Sequence, residues 1–161
     1  MNVALFEPEI PWNTGNIGRT CIAAQATLHL IGPLGFSLGG PEIRRSGLDY
    51  WPKLKLARHE DMSGFISSLP ANPSVLVFTT KAARSFRDAP FRPDSFLLFG
   101  RESSGLPESV LERFSGSLFR IPVSGEVRSL NLSTAVAVAL YEGLRRTGGD
   151  PGRATMCYDN G

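Results

Sequence analysis

The chain has 161 residues, which is enough for one domain around a single hydrophobic core. A hydrophobic content of 42% and a charged content of 20% are typical of a soluble globular protein, and a net charge of +2 allows nucleic acid as a partner without requiring it. The two cysteines lack the spacing of a metal site or a disulfide framework, and no apolar run approaches the roughly 20 residues that span a bilayer. We therefore expect a cytoplasmic protein without a metal or a membrane partner, and no signal peptide is visible.

Short apolar runs bounded by turn residues predict the strands of an α/β domain. The predicted strands are Asn2–Phe6, Thr27–Ile31, 54–57, Val75–Phe78, Phe96–Phe99 and 117–121. Helical patterns cover 15–26, 44–50, 61–69, a segment after Pro107, and 132–144. The alternation predicts a mostly parallel sheet with flanking helices. We expect a single domain over residues 1–147 and a polar tail over 148–161, which has too little apolar material for another core element.

The segment NTGNIGRT lies at the start of the first predicted helix. Asn13 or Thr14 is a suitable cap, and backbone N–H groups at a helix N-terminus can hold an anion. Arg19 would then face outward about one turn into the helix. The alternative is that asparagine and glycine only cap and turn the chain here. For His29 and His59 we expect structural or solvent roles.

Two loops that follow predicted strands are further candidate sites, because open α/β sheets bind ligands at the carboxyl ends of their strands. The loop GRESSGLP, residues 100–107, has glycines that let the backbone approach a ligand, and one carboxylate, Glu102. The polar loop after the last strand leads to a helix that Asn131 is expected to cap. That helix is apolar nearly all round, which predicts burial in the core or in a subunit interface. An ordinary strand, loop and core helix is the alternative for this stretch.

Three stretches together, NTGNIGRT, LLFGRESSGLP and IPVSGEVRSLNLSTAVAVALYE, closely resemble the three motifs of the trefoil-knot (SPOUT) RNA 2′-O-methyltransferases. The segments EPEIPWNTGN, RRSGLDYW and FTTK are similar, more specifically, to the small tRNA (cytidine/uridine-2′-O)-methyltransferases of the TrmL type, which modify the wobble nucleotide. The resemblance covers nearly the whole chain, from Asn2 to about Arg146. Two positions depart from the family pattern: Trp12 stands where proline is frequent, and Gly18 where a larger apolar residue is common.

The resemblance implies an enzyme that transfers a methyl group from S-adenosylmethionine to the ribose of the wobble cytidine or uridine, with leucine tRNAs as the expected substrates. It also implies a deep C-terminal trefoil knot and no metal. Because the chain has no separate RNA-binding domain and its last helix is apolar, we expect a homodimer. The alternative function is a catalytically silent RNA-binding module that keeps the SPOUT fold.

The matching motifs also imply site residues. Cofactor contacts are expected at Phe78, Thr79, Gly100, Ile121, Ser129 and Leu130, mostly through backbone groups. The catalytic candidates are Arg19, Glu102, Ser129 and Asn131. Family mechanisms often assign the arginine as the base, but a guanidinium does not deprotonate readily, so we interpret Arg19 as a clamp on the substrate phosphate that also stabilises developing alkoxide charge. Glu102 would orient Arg19 or hold its loop, while Ser129 and Asn131 would shape the cofactor pocket and cap the helix.

Overall fold

Six parallel strands form one sheet in the computed structural model, which describes residues 1–38 and 51–152. The strands are β1 (Asn2–Phe6), β2 (Thr27–Ile31), β3 (Leu56–His59), β4 (Val75–Phe78), β5 (Phe96–Phe99) and β6 (Leu118–Phe119). Their order in the sheet is β3-β2-β1-β5-β4-β6, and every neighbouring pair is parallel. This confirms the predicted α/β class with a mostly parallel sheet.

Helices cover both faces of the sheet. Those of the described residues are α1 (Pro11–Ala23), α2 (Met62–Ser67), α3 (Glu108–Arg113) and α4 (Leu132–Thr147). Helices α1 and α4 pack on one face, and α2 and α3 on the other. Along β1 the side chains of Val3 and Leu5 point to the first face and those of Ala4 and Phe6 to the second. Burial on both faces explains why the central strands read as continuous apolar runs.

Several predicted boundaries differ from the structure. Strand β3 begins two residues later than predicted, because a short 3-10 turn at Trp51–Lys53 precedes it. Strand β6 is shorter than the predicted 117–121, since Ser117 ends another 3-10 turn and Arg120 forms only an isolated bridge with Ser85. Helix α2 is shorter than 61–69, and Asp61 caps it instead of belonging to it. The predicted helix at 44–50, most of the RRSGLDYW segment and residues 153–161 of the predicted tail lie outside the described residues.

Helix α1 begins at Pro11, four residues before the predicted start. Proline suits a first helical position, because its fixed φ is helical and its missing N–H has no partner there. Asn13 and Thr14 therefore lie inside the helix and are buried, so neither is its cap. The predicted cap at Asn13 or Thr14 was wrong, and NTGNIGRT lies within the first turns of α1. Arg19 lies about two turns into α1, with an exposed side chain.

The interior of α1 explains one departure from the family pattern. A Cβ atom added to Gly18 would lie 2.8 Å from the Trp51 ring, so the tryptophan occupies the space that a larger residue would need.

Cys21, on the same helix, is buried, and this burial raises the pKa of its thiol to about 12. A thiol with that pKa is not a nucleophile at neutral pH.

Two histidines pack together on the face that carries α2. The Nδ1 atom of His29 lies 3.0 Å from Nε2 of His59, and the two rings stack at an interplanar angle of 8°. Phe65 and Phe96 contact the His29 ring edge-on. Burial first, and then the nearby His59, lower the pKa of His29 to about 4. His29 is therefore a neutral packing residue at physiological pH.

Helix α4 begins where it was predicted. Asn131 caps it by accepting a hydrogen bond from the Ser133 N–H at 2.9 Å. One side of the helix is buried in the core, but Val138 and Tyr141 on another side are 37% and 49% exposed. The helix was expected to be buried on nearly all sides. In the single chain, only one side is buried. Of the helices in the described ranges, none is both long and apolar enough to cross a membrane.

Candidate active site

A cavity of about 650 Å³ lies at the carboxyl edge of the sheet. Its walls come from the loops that follow β4, β5 and β6, together with the first turns of α1 and α4. The three strands are neighbours in the sheet, so their loops converge at one edge. The volume is in the range of sites that bind small molecules.

The floor of the cavity is apolar. The Phe78 and Phe99 rings, at the ends of β4 and β5, stack with their centroids 4.8 Å apart. Leu106, Ile121 and Leu130 extend this surface. Planar rings and aliphatic side chains next to loop backbone groups form a suitable surface for a nucleoside. The apolar floor of this cavity therefore fits the nucleoside part of S-adenosylmethionine.

The loop after β5 is closed on itself. The N–H of Arg101 donates to the Gly105 carbonyl at 3.1 Å, and the N–H of Gly105 donates back to Arg101 at 3.0 Å. A Cβ atom on Gly100 would lie 2.2 Å from the Gly105 carbonyl carbon, and Gly105 has a φ of 72°. Both glycines are therefore needed by the loop's own conformation, before any ligand is considered.

The Glu102 carboxylate holds the start of α1 against this loop. Its Oε2 atom accepts a hydrogen bond from the Glu9 N–H at 2.9 Å, and Oε1 accepts from the Ile10 N–H at 3.2 Å. Oε1 also accepts from the Asn13 side-chain amide at 3.1 Å. Ile10 is the N-terminal flanking residue of α1 and makes no side-chain cap of its own, so Glu102 performs that function from a distant loop.

Asn13 connects Glu102 to the last helix. It is only 5% exposed, and its Oδ1 atom accepts a hydrogen bond from the Asn131 amide at 3.0 Å. Asn131 in turn accepts from the N–H and hydroxyl groups of Ser133. Because a carboxylate only accepts hydrogen bonds, Glu102 fixes the orientation of both amides in the series. The three loops that resemble family motifs are joined through this series.

Two further contacts, which the sequence reasoning missed, join the loop after β1 to the loop after β5. The Glu9 carboxylate accepts hydrogen bonds from the N–H and hydroxyl groups of Ser103 at 2.9 and 2.8 Å, and these bonds lower the pKa of Glu9. Arg101 forms an ion pair with Glu7. The available signal was the acidic run EPE, which directly follows a predicted strand and so belongs at the same edge of the sheet.

The structure places nearly all predicted site residues around the cavity. Those that line it are Phe78, Thr79, Gly100, Glu102, Ile121, Ser129, Leu130 and Asn131. Arg19 is the exception, since it lies further along α1 and is not among the lining residues. Cavity-lining residues outside the predicted set include Asn13, Lys81, Arg101 and Arg128.

Residues 1–141 match the model of the SpoU rRNA methylase family. The chain belongs to this family. A relative in Burkholderia ambifaria, named tRNA (cytidine(34)-2′-O)-methyltransferase, is 43% identical over 153 residues, which are 94% of this chain and 98% of the relative. The described part of the chain contains no group of three or more His, Cys, Asp or Glu side chains that could hold a metal ion.

Solved structures of family members have the same fold. One, described as giving insight into the 2-OH methylation of C/U34 on tRNA, is 47% identical with a TM-score of 0.88, and the match covers 92% of this chain and 97% of that one. An rRNA methyltransferase from Sinorhizobium meliloti, solved with AdoMet bound, is 31% identical with a TM-score of 0.80, and the match covers 90% of this chain and 56% of that one.

Proposed function

We propose that this protein transfers a methyl group from S-adenosylmethionine to the ribose 2′-hydroxyl of the wobble nucleotide, a cytidine or uridine, in leucine tRNAs. The observation that carries the proposal is the meeting of the three motif segments around one cavity of suitable size and polarity. The Burkholderia relative, whose name states this activity for position 34 of tRNA, supports the choice of substrate.

The cavity residues hold the cofactor in this proposal. Phe78, Ile121 and Leu130 contact its apolar parts, and backbone groups at Thr79, Gly100 and Ser129 fix its polar ones. When bound, S-adenosylmethionine supplies an activated methyl group on a sulfonium. The protein then has to position the ribose 2′-oxygen in line with that methyl group and help the hydroxyl lose its proton.

Arg19 acts on the substrate, not the cofactor. Its exposed position on α1, away from the cavity wall, suits a clamp on an RNA phosphate next to the reacting ribose. The same guanidinium stabilises the alkoxide charge that develops on the 2′-oxygen. An arginine with this function would affect turnover and leave cofactor affinity nearly unchanged.

Glu102 is a positioning residue in this mechanism. Its carboxylate already accepts three hydrogen bonds from the start of α1, so holding the loop explains its geometry better than removing a proton from the substrate. Asn131 is bound to Asn13 and caps α4, so Glu102 also positions α4 through these two amides. Ser129 shapes the cavity beside the cap.

The active form is a cytoplasmic homodimer whose C-terminal segment forms a trefoil knot. The dimer is supported by the exposed apolar side chains Val138 and Tyr141 on a helix whose other side is buried in the core. Two subunits would also provide a larger RNA-binding surface than one. The knot is supported by the family membership. It is also supported by the cavity, because the last third of the chain forms part of the cavity wall.

The function is tested with purified protein, S-adenosylmethionine and bulk tRNA. We expect the cofactor to raise the unfolding temperature, and we expect methyl transfer to tRNA. Stabilisation by the cofactor without transfer to any RNA would refute the enzyme and favour the silent RNA-binding module. No stabilisation at all would refute the cofactor site.

A further inference from the structure

Three of the described cavity-lining residues are cations, and they differ in their surroundings. Lys81 forms an ion pair with Glu108 at 3.1 Å, and Arg101 forms one with Glu7. Arg128 has neither an ion pair nor a hydrogen bond within the described part of the chain. Of the three cations that line the cavity in the described part of the chain, Arg128 is thus the one without an ion pair.

Two carboxylates of the cavity region are already engaged, and Glu126, two residues before Arg128, is exposed and forms no ion pair with it within the described residues. Glu102, which lines the same cavity, accepts bonds from the start of α1, and Glu9 is bound to Ser103. Without a protein partner, the guanidinium of Arg128 is available to an anion that arrives with a ligand. Its five donors form a planar fork that matches the oxygens of a phosphate.

The position of Arg128 favours RNA as the source of that anion. Residues 122–129 are all exposed, so the side chain stands at the rim of the cavity and not in its floor. A small cofactor fills the interior beside Phe78 and Ile121, whereas a folded RNA can reach only the rim. A rim cation is thus placed to contact the backbone of the nucleotide whose ribose lies over the cavity.

We propose that Arg128 binds a phosphate of the substrate RNA beside the methylated nucleotide and so positions its ribose over the cavity. This inference rests on the proposed function, because it takes tRNA as the substrate. Arg128 would affect the affinity for RNA and the placement of the ribose over the cavity, while other groups hold the cofactor.

The experiment measures the affinity of a leucine tRNA transcript for the protein over a series of KCl concentrations. Loss of one phosphate contact in a single-stranded loop should reduce the slope of log K against log salt by about 0.7. Arg128→Ala should show this change and bind tRNA about tenfold more weakly at low salt. Its affinity for S-adenosylmethionine should stay close to wild type, whereas its single-turnover rate at saturating tRNA should fall, because the ribose is no longer positioned over the cavity.

Two comparison variants sharpen the test. Arg128→Lys should keep most of the salt slope and recover only part of the affinity, since a point charge does not reproduce the fork. Arg113→Ala removes an exposed arginine at the end of α3, away from the cavity, and should change neither quantity.

Wild-type affinity and slope in Arg128→Ala would overturn the proposal. So would a loss of cofactor affinity with unchanged tRNA binding, which would assign Arg128 to the cofactor carboxylate. Wild-type protein that binds tRNA without methylating it would refute the proposed function, and the salt slopes would still decide the role of Arg128.

Discussion

Replacing Glu102 with alanine should destabilise the whole fold, because this carboxylate joins α1 to the loop after β5. The variant removes the acceptor for the Glu9 and Ile10 N–H groups and for the Asn13 amide. Water can reach the two backbone groups, but the Asn13 amide is 5% exposed and would lose a partner at a cost of about 1–3 kcal/mol. Exchanging the two charge-assisted bonds from the Glu9 and Ile10 N–H groups for bonds to water adds about 1 kcal/mol.

Together these losses predict a decrease of about 2–4 kcal/mol in the free energy of unfolding. For a chain of this length, that corresponds to a melting temperature roughly 5–15 °C lower. Glu102→Gln should lie between wild type and Glu102→Ala, since one amide oxygen still accepts bonds while the amide N–H₂ group opposes the N–H of Glu9. Calorimetry or thermal denaturation monitored by circular dichroism measures the effect.

Glu112→Ala, which removes an exposed carboxylate on α3, is the matched control and should change stability by less than about 0.5 kcal/mol. The reasoning is refuted if Glu102→Ala melts within about 2 °C of wild type, below the smallest shift that the lost bonds allow. A variant that is fully stable yet inactive in single turnover would instead assign Glu102 to the chemical step.

Three further predictions concern other parts of the molecule. Arg19→Ala should keep its affinity for S-adenosylmethionine by isothermal titration but lose a factor on the order of 10²–10³ in single-turnover rate, and joint loss of both, or full retained rate, would contradict the assignment. Stability should rise with pH between about 4 and 6.5, because an unfolded histidine binds a proton that His29, with its pKa lowered to about 4, does not. Urea titrations of wild type and His29→Gln at several pH values test this, and equal pH dependence in both would exclude His29. Light scattering should give a mass of twice 17.5 kDa, and Tyr141→Glu should shift it towards the monomer, whereas a 17.5 kDa wild type would contradict the dimer.

The strands could be predicted because of where they lie. β1, β2, β4 and β5 lie in the middle of a sheet covered on both faces, so burial alone requires a continuous apolar run. The edge strands β3 and β6 carry a weaker signal, and their boundaries were misplaced. The start of α1 was missed because the polar residues at 13 and 14 look like caps, although Pro11 was the better signal.

The candidate site could be predicted only in part, for a different reason. The motif residues that line the cavity follow strand ends, which a parallel sheet brings to one edge. The contacts that hold them are not readable in this way, since Glu102 lies 89 to 93 residues from its three partners. No local pattern indicates that a glutamate in one loop caps a helix that begins so far away.

The most direct test of the proposed function compares tRNA from cells with and without this protein, by mapping 2′-O-methyl groups along each tRNA. The proposal predicts that the methyl group at the wobble nucleotide of leucine tRNAs is present with the protein and absent without it. An unchanged wobble position, or a methyl group lost at another nucleotide, would contradict the proposal.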